Sequence, residues 1–105
     1  MEIVNRKISE LIPAEYNPRQ LSKEQFQDIR ASINRFGIVD PIIVNTHPER
    51  LNIIIGGHQR CKVAESIGID EIPTVEPSLD LDQERELNVR LNKNTGSFDM
   101  DTLAN

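Results

Sequence analysis

The sequence predicts an α/β (α+β) fold, a small mixed β-sheet flanked by helices. Three observations carry this expectation. Ile42-Ile43-Val44, Leu51 to Ile55 and Ile72-Pro73-Thr74-Val75 are β-rich runs too short for helices. The stretch from Ser22 to Gly37 has helical periodicity with a start signal and a stop signal. The second β-rich run passes directly into Gly56-Gly57 and then into a helical segment. At 105 residues the chain is one domain in size.

Ile3 to Ile8 is expected as the first strand. Pro13 to Arg19 is turn-rich, because its two prolines bias it to extended or turn geometry. Ser22 stands where an N-cap belongs, with Gln25 as its capping-box partner. Phe26, Ile29, Ile33 and Phe36 then form one apolar stripe that must be buried, and Gly37 is a natural C-terminal cap. Residues 42–44 and 51–55 can pair as a hairpin across the turn Thr46 to Arg50. A helix from about His58 places Cys61, Ala64 and Ile67 on one face and ends at Gly68. After the strand at Ile72 to Val75, the acidic segment Glu76 to Glu86 leads into a helix with Leu87 and Leu91 inside. Asn92 to Gly96 is expected to break that helix. Asp99 to Asn105 has the character of a further helix start, which suggests a domain cut from a longer polypeptide.

Composition narrows the function classes. Aromatic residues are 4% and Trp is absent, so the core must be aliphatic. No apolar run approaches the roughly 20 residues of a membrane-spanning helix, and no hydrophobic leader opens the chain. A cytoplasmic protein without membrane partners is the expectation. The single Cys61 excludes an internal disulfide and a multi-thiolate zinc site, and His47 and His58 lack ligand-like spacing, so no structural metal and no protein metal ligands are expected. Net charge is −5, which disfavours whole-surface nucleic-acid binding but permits a local basic patch.

The chemistry concentrates at Gly56-Gly57-His58-Gln59-Arg60. Glycine permits positive φ and close backbone approach. A helix N-terminus offers unpaired N–H groups and partial positive charge. Arg60 can fork onto phosphate oxygens. A phosphate-binding turn follows, and a tight β–α connection carrying a surface arginine stays open beside it. Neither a P-loop nor a GxGxxG fingerprint is present.

A proline–arginine loop, a capped helix, "FGIVDPIIV", "IIIGGHQR", "IPTV" and an acidic helix ending "LNKNTG" occur in that order. Over residues 3–97 this resembles the N-terminal domain of ParB, and so the ParB/sulfiredoxin fold. The "GGHQR … LNKNTG" form is similar to ParB-like domains of phage proteins and of DNA methyltransferases. The resemblance implies one ParB N-terminal-like domain over residues 1–105. It implies a nucleotide pocket lined by the block Gly37 to Ile42, with the triphosphate of CTP or ATP cradled by Gly56, Gly57, His58, Gln59 and Arg60. Arg19 matches the arginine of ParB's N-terminal loop, and Asn92 matches an asparagine of its third block. Departures stand beside these matches. ParB has Glu and Arg where this chain has His58 and Gln59. Its third block has Glu and Arg where this chain has Leu91 and Thr95, so a carboxylate partner for Mg²⁺ is missing, while Mg²⁺ beside the nucleotide stays open. Sulfiredoxin carries its catalytic cysteine where this chain has His58, so sulfinic-acid reduction is excluded.

Each candidate has a plainer role open to it. Arg60 can be a solvated helix arginine. His58 can donate to a phosphate or act as acid or base, or face water at a helix start. Cys61 is a small buried hydrophobe by default. His47 and Asp40 are turn residues, and Asn92 and Asn94 either bond a base or sugar or cap a helix. The acidic segment is expected to be a solvated helix start.

Three functions are weighed. The first is a DNA-associated module of a partitioning, modification or phage protein that binds a nucleoside triphosphate and acts on a downstream domain, DNA or a second copy of itself. The second is an enzyme, a metal-dependent nuclease or weak NTPase, which requires convergent carboxylates. The third is an interaction module without a ligand. DNA contact is expected through Arg19, Arg60, Lys62, Arg90 or Lys93, on phosphates rather than base edges.

Overall fold

The computed structural model describes residues 1–17 and 20–99, the last six of these as helix backbone. Four strands form one sheet: β1 (Val4–Lys7), β2 (Ile42–Val44), β3 (Ile54–Gly56) and β4 (Glu71–Val75). Their order is β1-β4-β2-β3. β4 is antiparallel to β1 and parallel to β2, and β2 is antiparallel to β3. The sheet is therefore mixed. The helices are α1 (Lys23–Phe36), α2 (His58–Ser66) and α3 (Leu81–Asp99), with 3₁₀ turns at Ile8–Glu10 and Pro48–Arg50.

Local chemistry explains most boundaries. Ser22 accepts from the Gln25 amide while the Gln25 side chain accepts from the Ser22 amide, so α1 begins with a capping box. Gly37, at φ 76°, ends it. β2 and β3 form the expected hairpin, but β3 starts later than its apolar run. Leu51 is exposed and Asn52 takes φ 68°, so these residues are spent on the reversal. The outer edge of β3 is covered at Ile12, which bridges Ile53.

The core is aliphatic, as the composition requires. Ile42, Val44, Ile55, Val63 and Ile72 are completely buried, each contributing on the order of 1.5–3 kcal/mol. Two expectations about helix faces need correction. Phe36 is 63% exposed beneath the Arg35 guanidinium, so the α1 stripe ends at Ile33. Among the described side chains of α3 the buried ones are Glu84 and Asn88, while Leu87 and Leu91 are half-buried. The expected break at Asn92 to Gly96 does not occur, since α3 continues to Asp99. The helix start proposed at Asp99 to Asn105 lies, beyond Asp99 itself, outside the described residues.

Candidate functional site

β3 delivers the chain to Gly56 against α3. A Cβ there would lie 2.8 Å from Leu91 Cδ1. Gly57 then takes φ 90°, ψ 21° as the N-cap of α2. Its Cβ would meet Ile42 Cδ1 at 2.6 Å and Arg60 Nη2 at 3.0 Å. A side chain at either position would push neighbouring side-chain ends aside, and Gly57 is also favoured conformationally by its positive φ. The Gly57 carbonyl accepts the first α2 bond, from the Cys61 amide at 2.9 Å. The cap makes no side-chain hydrogen bond, and the first-turn amides of α2, which have no partner within the helix, belong to residues that border the space above the glycines.

That space is a cleft of about 350 Å³, lined by Gly56, Gly57, His58, Gln59 and Arg60 together with Asn17, Ile29, Ile43, Leu91 and Asn92. Six of the seven sequence-selected nucleotide residues meet there. Gly37 does not line it; a Cβ at Gly37 would meet no atom of the described residues within 4 Å, and its block reaches the site through Pro41 and Ile42, with Ile43 next to them. Arg60 folds back over Gly57 and donates through Nη2 to the Pro41 carbonyl at 3.2 Å. Its Nε is buried without a hydrogen-bond partner, a cost of roughly 1–3 kcal/mol. Among the described residues Arg60 forms no ion pair. Among the described residues no carboxylate lines the cleft. An orphaned guanidinium nitrogen beside a glycine cradle suits an anion. A magnesium ion would find no acidic ligand among the described residues of the cleft and would have to arrive on the anion's own oxygens.

His58 does not face water at the helix start. Its Nε2 accepts the Ala14 amide at 3.1 Å, and burial holds its pKa below the usual histidine value. It is a neutral ring whose acceptor nitrogen is committed to the N-terminal loop, which leaves only Nδ1–H to donate. His58, Gln59 and Asn17 also border a second cavity of about 430 Å³, floored by Ile8, Leu11 and Ile54. Cys61 is buried, and desolvation raises its thiol pKa to about 11, so it is unreactive near neutrality.

A buried polar cluster beneath α3 went unrecognised in the sequence. The Glu84 carboxylate, 0% exposed, accepts from Tyr16 Oη, from Asn45 Nδ2 at 2.9 Å, and from Arg50 Nε and Nη2 at 3.0 and 2.9 Å. Burial pushes the Glu84 pKa up, but the hydrogen bonds from Arg50, Tyr16 and Asn45 outweigh it and the net shift is downward. Desolvation and the bond to Glu84 raise the Tyr16 pKa. Four residues further along α3, Asn88 Nδ2 donates to the Ile55 carbonyl at 2.9 Å. The acidic segment is therefore not uniformly solvated. A signal was present: if Leu87 and Leu91 face inward, helical spacing turns Glu84 and Asn88 inward too.

The DNA-contact candidates are dispersed. Lys62 is exposed on α2, beside Lys23 and Arg30 of α1. Arg90 and Lys93 stand on α3, where Arg90 is paired to Glu86 at 3.0 Å. Arg19 lies outside the described residues. Among the described residues no three His, Cys, Asp or Glu side chains converge as a metal site, and no helix is long and apolar enough to cross a membrane.

The ParB N-terminal domain model matches residues 1–95. A ParB-like nuclease domain-containing protein, YnaK, of Escherichia coli K12 is 35% identical over 75 residues, which is 71% of this chain and 82% of that protein. A probable chromosome-partitioning protein ParB of Vibrio cholerae is 37% identical over 73 residues, 69% of this chain but 25% of its own length. Among solved structures, C-terminally truncated ParB of Caulobacter crescentus complexed with CTP-γ-S superposes with a TM-score of 0.74 at 21% identity, over 100% of this chain and 56% of that one. Arabidopsis thaliana sulfiredoxin superposes with a TM-score of 0.69 at 16% identity, over 83% of this chain and 97% of its own. The expected ParB/sulfiredoxin-like fold is thereby shown. The chain spans most of YnaK and about a quarter of the partitioning protein.

Proposed function

Because the chain belongs to the ParB N-terminal domain family, we propose that it binds a nucleoside triphosphate, CTP or ATP, at the Gly56-Gly57 turn within a larger DNA-associated protein. The observation that carries this reading is the cleft over the two glycines, with the Arg60 Nε buried and unpartnered at its wall. In this reading the α2 first-turn amides and Arg60 hold phosphate oxygens. Gln59 and Asn92 supply neutral hydrogen bonds, and Asn17 brings the N-terminal loop to the ligand. His58 acts by holding that loop through Ala14 and offers Nδ1–H to the ligand. Binding would bias how the loop and α3 sit, and so influence a neighbouring domain, DNA or a second protomer. The CTP analogue on the Caulobacter structure belongs to that protein; here it adds weight to CTP as the first ligand to try.

The test is titration calorimetry with CTP, ATP, GTP and UTP, each with and without Mg²⁺. Binding of CTP or ATP is expected, weakened at least tenfold by Arg60→Ala, the loss of one charge-assisted bond of about 1.5–3 kcal/mol. Silence of all four nucleotides at millimolar concentration overturns the reading. Nuclease chemistry is the second reading, because YnaK is a ParB-like nuclease domain-containing protein. Metal-assisted cleavage needs convergent carboxylates, and the described residues bring no three His, Cys, Asp or Glu side chains together as a metal site; the pair Glu15 and Glu84 is held by Arg50. Nicking of supercoiled plasmid with Mg²⁺ or Mn²⁺, abolished by Arg60→Ala, would reverse that preference.

A further inference from the structure

α1 and α2 are separated by an open groove floored by Leu21 and Phe26 and edged by Lys23, Arg30 and Lys62, with Gln27 and Ser22 between them. Among the described residues no carboxylate lines it. Lys23, Gln27 and Arg30 share one face of α1 by helical spacing, which sets the two α1 cations about 10 Å apart along the axis. Lys62 faces them from α2. All three cations are exposed, and among the described residues none has an ion-pair partner. The basic group on α3 differs. Arg90 is neutralised by Glu86, and Arg85 lies over the Tyr16 ring at 5.4 Å. In a chain of net charge −5, three unpaired cations around one concave strip form a local field of the wrong sign for the rest of the surface.

We infer that the α1–α2 groove is a docking surface for the phosphate backbone of duplex DNA. This rests on the DNA-associated part of the proposed function and names the surface that serves it, distinct from the nucleotide cleft. Charge complementarity selects a polyanion. Single-stranded nucleic acid is disfavoured because its binding relies on exposed aromatic faces, and the groove's one aromatic, Phe26, is half-buried against the core. Contacts would be to phosphates, without base readout. One related structure is of ParB complexed to its centromeric DNA site, so duplex DNA is a natural partner to test.

Each phosphate neutralised adds about 0.9 to the slope of log affinity against log salt. Three contacts give about 2.7, a fall of roughly 40-fold in affinity between 50 and 200 mM salt. The experiment is fluorescence anisotropy of a labelled mixed-sequence duplex about two helical turns long, titrated with the 105-residue chain across that salt range. The K23Q/R30Q/K62Q variant is compared with R85Q/R90Q/K93Q, which removes the same net charge from α3. The groove variant is expected to lose at least tenfold in affinity at the lowest salt and nearly all of the slope, while the α3 variant keeps both. If circular dichroism shows that the groove variant fails to fold, Arg30→Gln and Lys62→Gln singly should each remove about one unit of slope. An unchanged groove variant, or equal losses in both variants, overturns the assignment of this surface. Absence of duplex binding by the wild type at the lowest salt overturns the DNA-associated reading with it.

Discussion

Replacing Glu84 by glutamine changes almost no volume but removes the charge on which four hydrogen bonds converge. Arg50 would keep Glu15 at 2.8 Å, a carboxylate 65% exposed and a weak substitute. The glutamine amide also turns one acceptor into a donor, so at least one of Tyr16, Asn45 and Arg50 meets a donor instead of an acceptor. Breaking a buried pair in this way costs about 3–5 kcal/mol. A domain of this size holds about 5–15 kcal/mol in total, so a large share of the stability is at stake. Urea unfolding followed by circular dichroism measures it, with an expected drop in midpoint at constant slope and a Tm lower by more than about 10 °C. The pH dependence adds a second signature. Because the folded-state pKa of Glu84 is depressed below 4.5, its contribution is complete above that value and is lost as pH falls through the folded pKa. The wild type should weaken along that acid limb, and Glu84→Gln should show less of it. A loss below about 1 kcal/mol, or an unaltered acid limb, would refute the view that this carboxylate anchors α3 to the loops.

Three shorter predictions follow from the same geometry. Gly57→Ala forces a side chain into φ 90° and against Ile42, so it should destabilise by roughly 2–4 kcal/mol and abolish nucleotide binding, read by urea unfolding and calorimetry. His58 has a folded pKa below 6.5, so its contribution is present above that value and declines as pH falls below it; between pH 7.5 and 5.5 the wild type should lose more stability than His58→Gln. Cys61, with its thiol pKa raised to about 11, should resist a thiol reagent at pH 8 in native protein and react fully in urea; rapid native labelling would contradict its burial.

Much of the frame was legible because it is written locally. The capping box, the hairpin and the strand–Gly-Gly–helix passage each depend on residues a few positions apart. The candidate cleft was legible for the same reason, since five of its residues are consecutive. Block resemblance groups Gly37 with them, yet the chain turns at Asp40-Pro41 and leaves Gly37 at the C-terminal end of α1. Periodicity assigns Phe36 to the core, because it cannot tell where a helix overhangs the layer beneath it.

Residue order alone settled the aliphatic core, the ends of α1 and the glycine turn, because caps, turns and β-branched runs act over single turns of chain. Only three-dimensional assembly placed β4 between β1 and β2 and put a carboxylate beneath α3. Tyr16, Asn45 and Arg50 lie 68, 39 and 34 positions from Glu84. A charge is tolerable inside a protein only where such distant donors converge, and that convergence is a property of the folded chain.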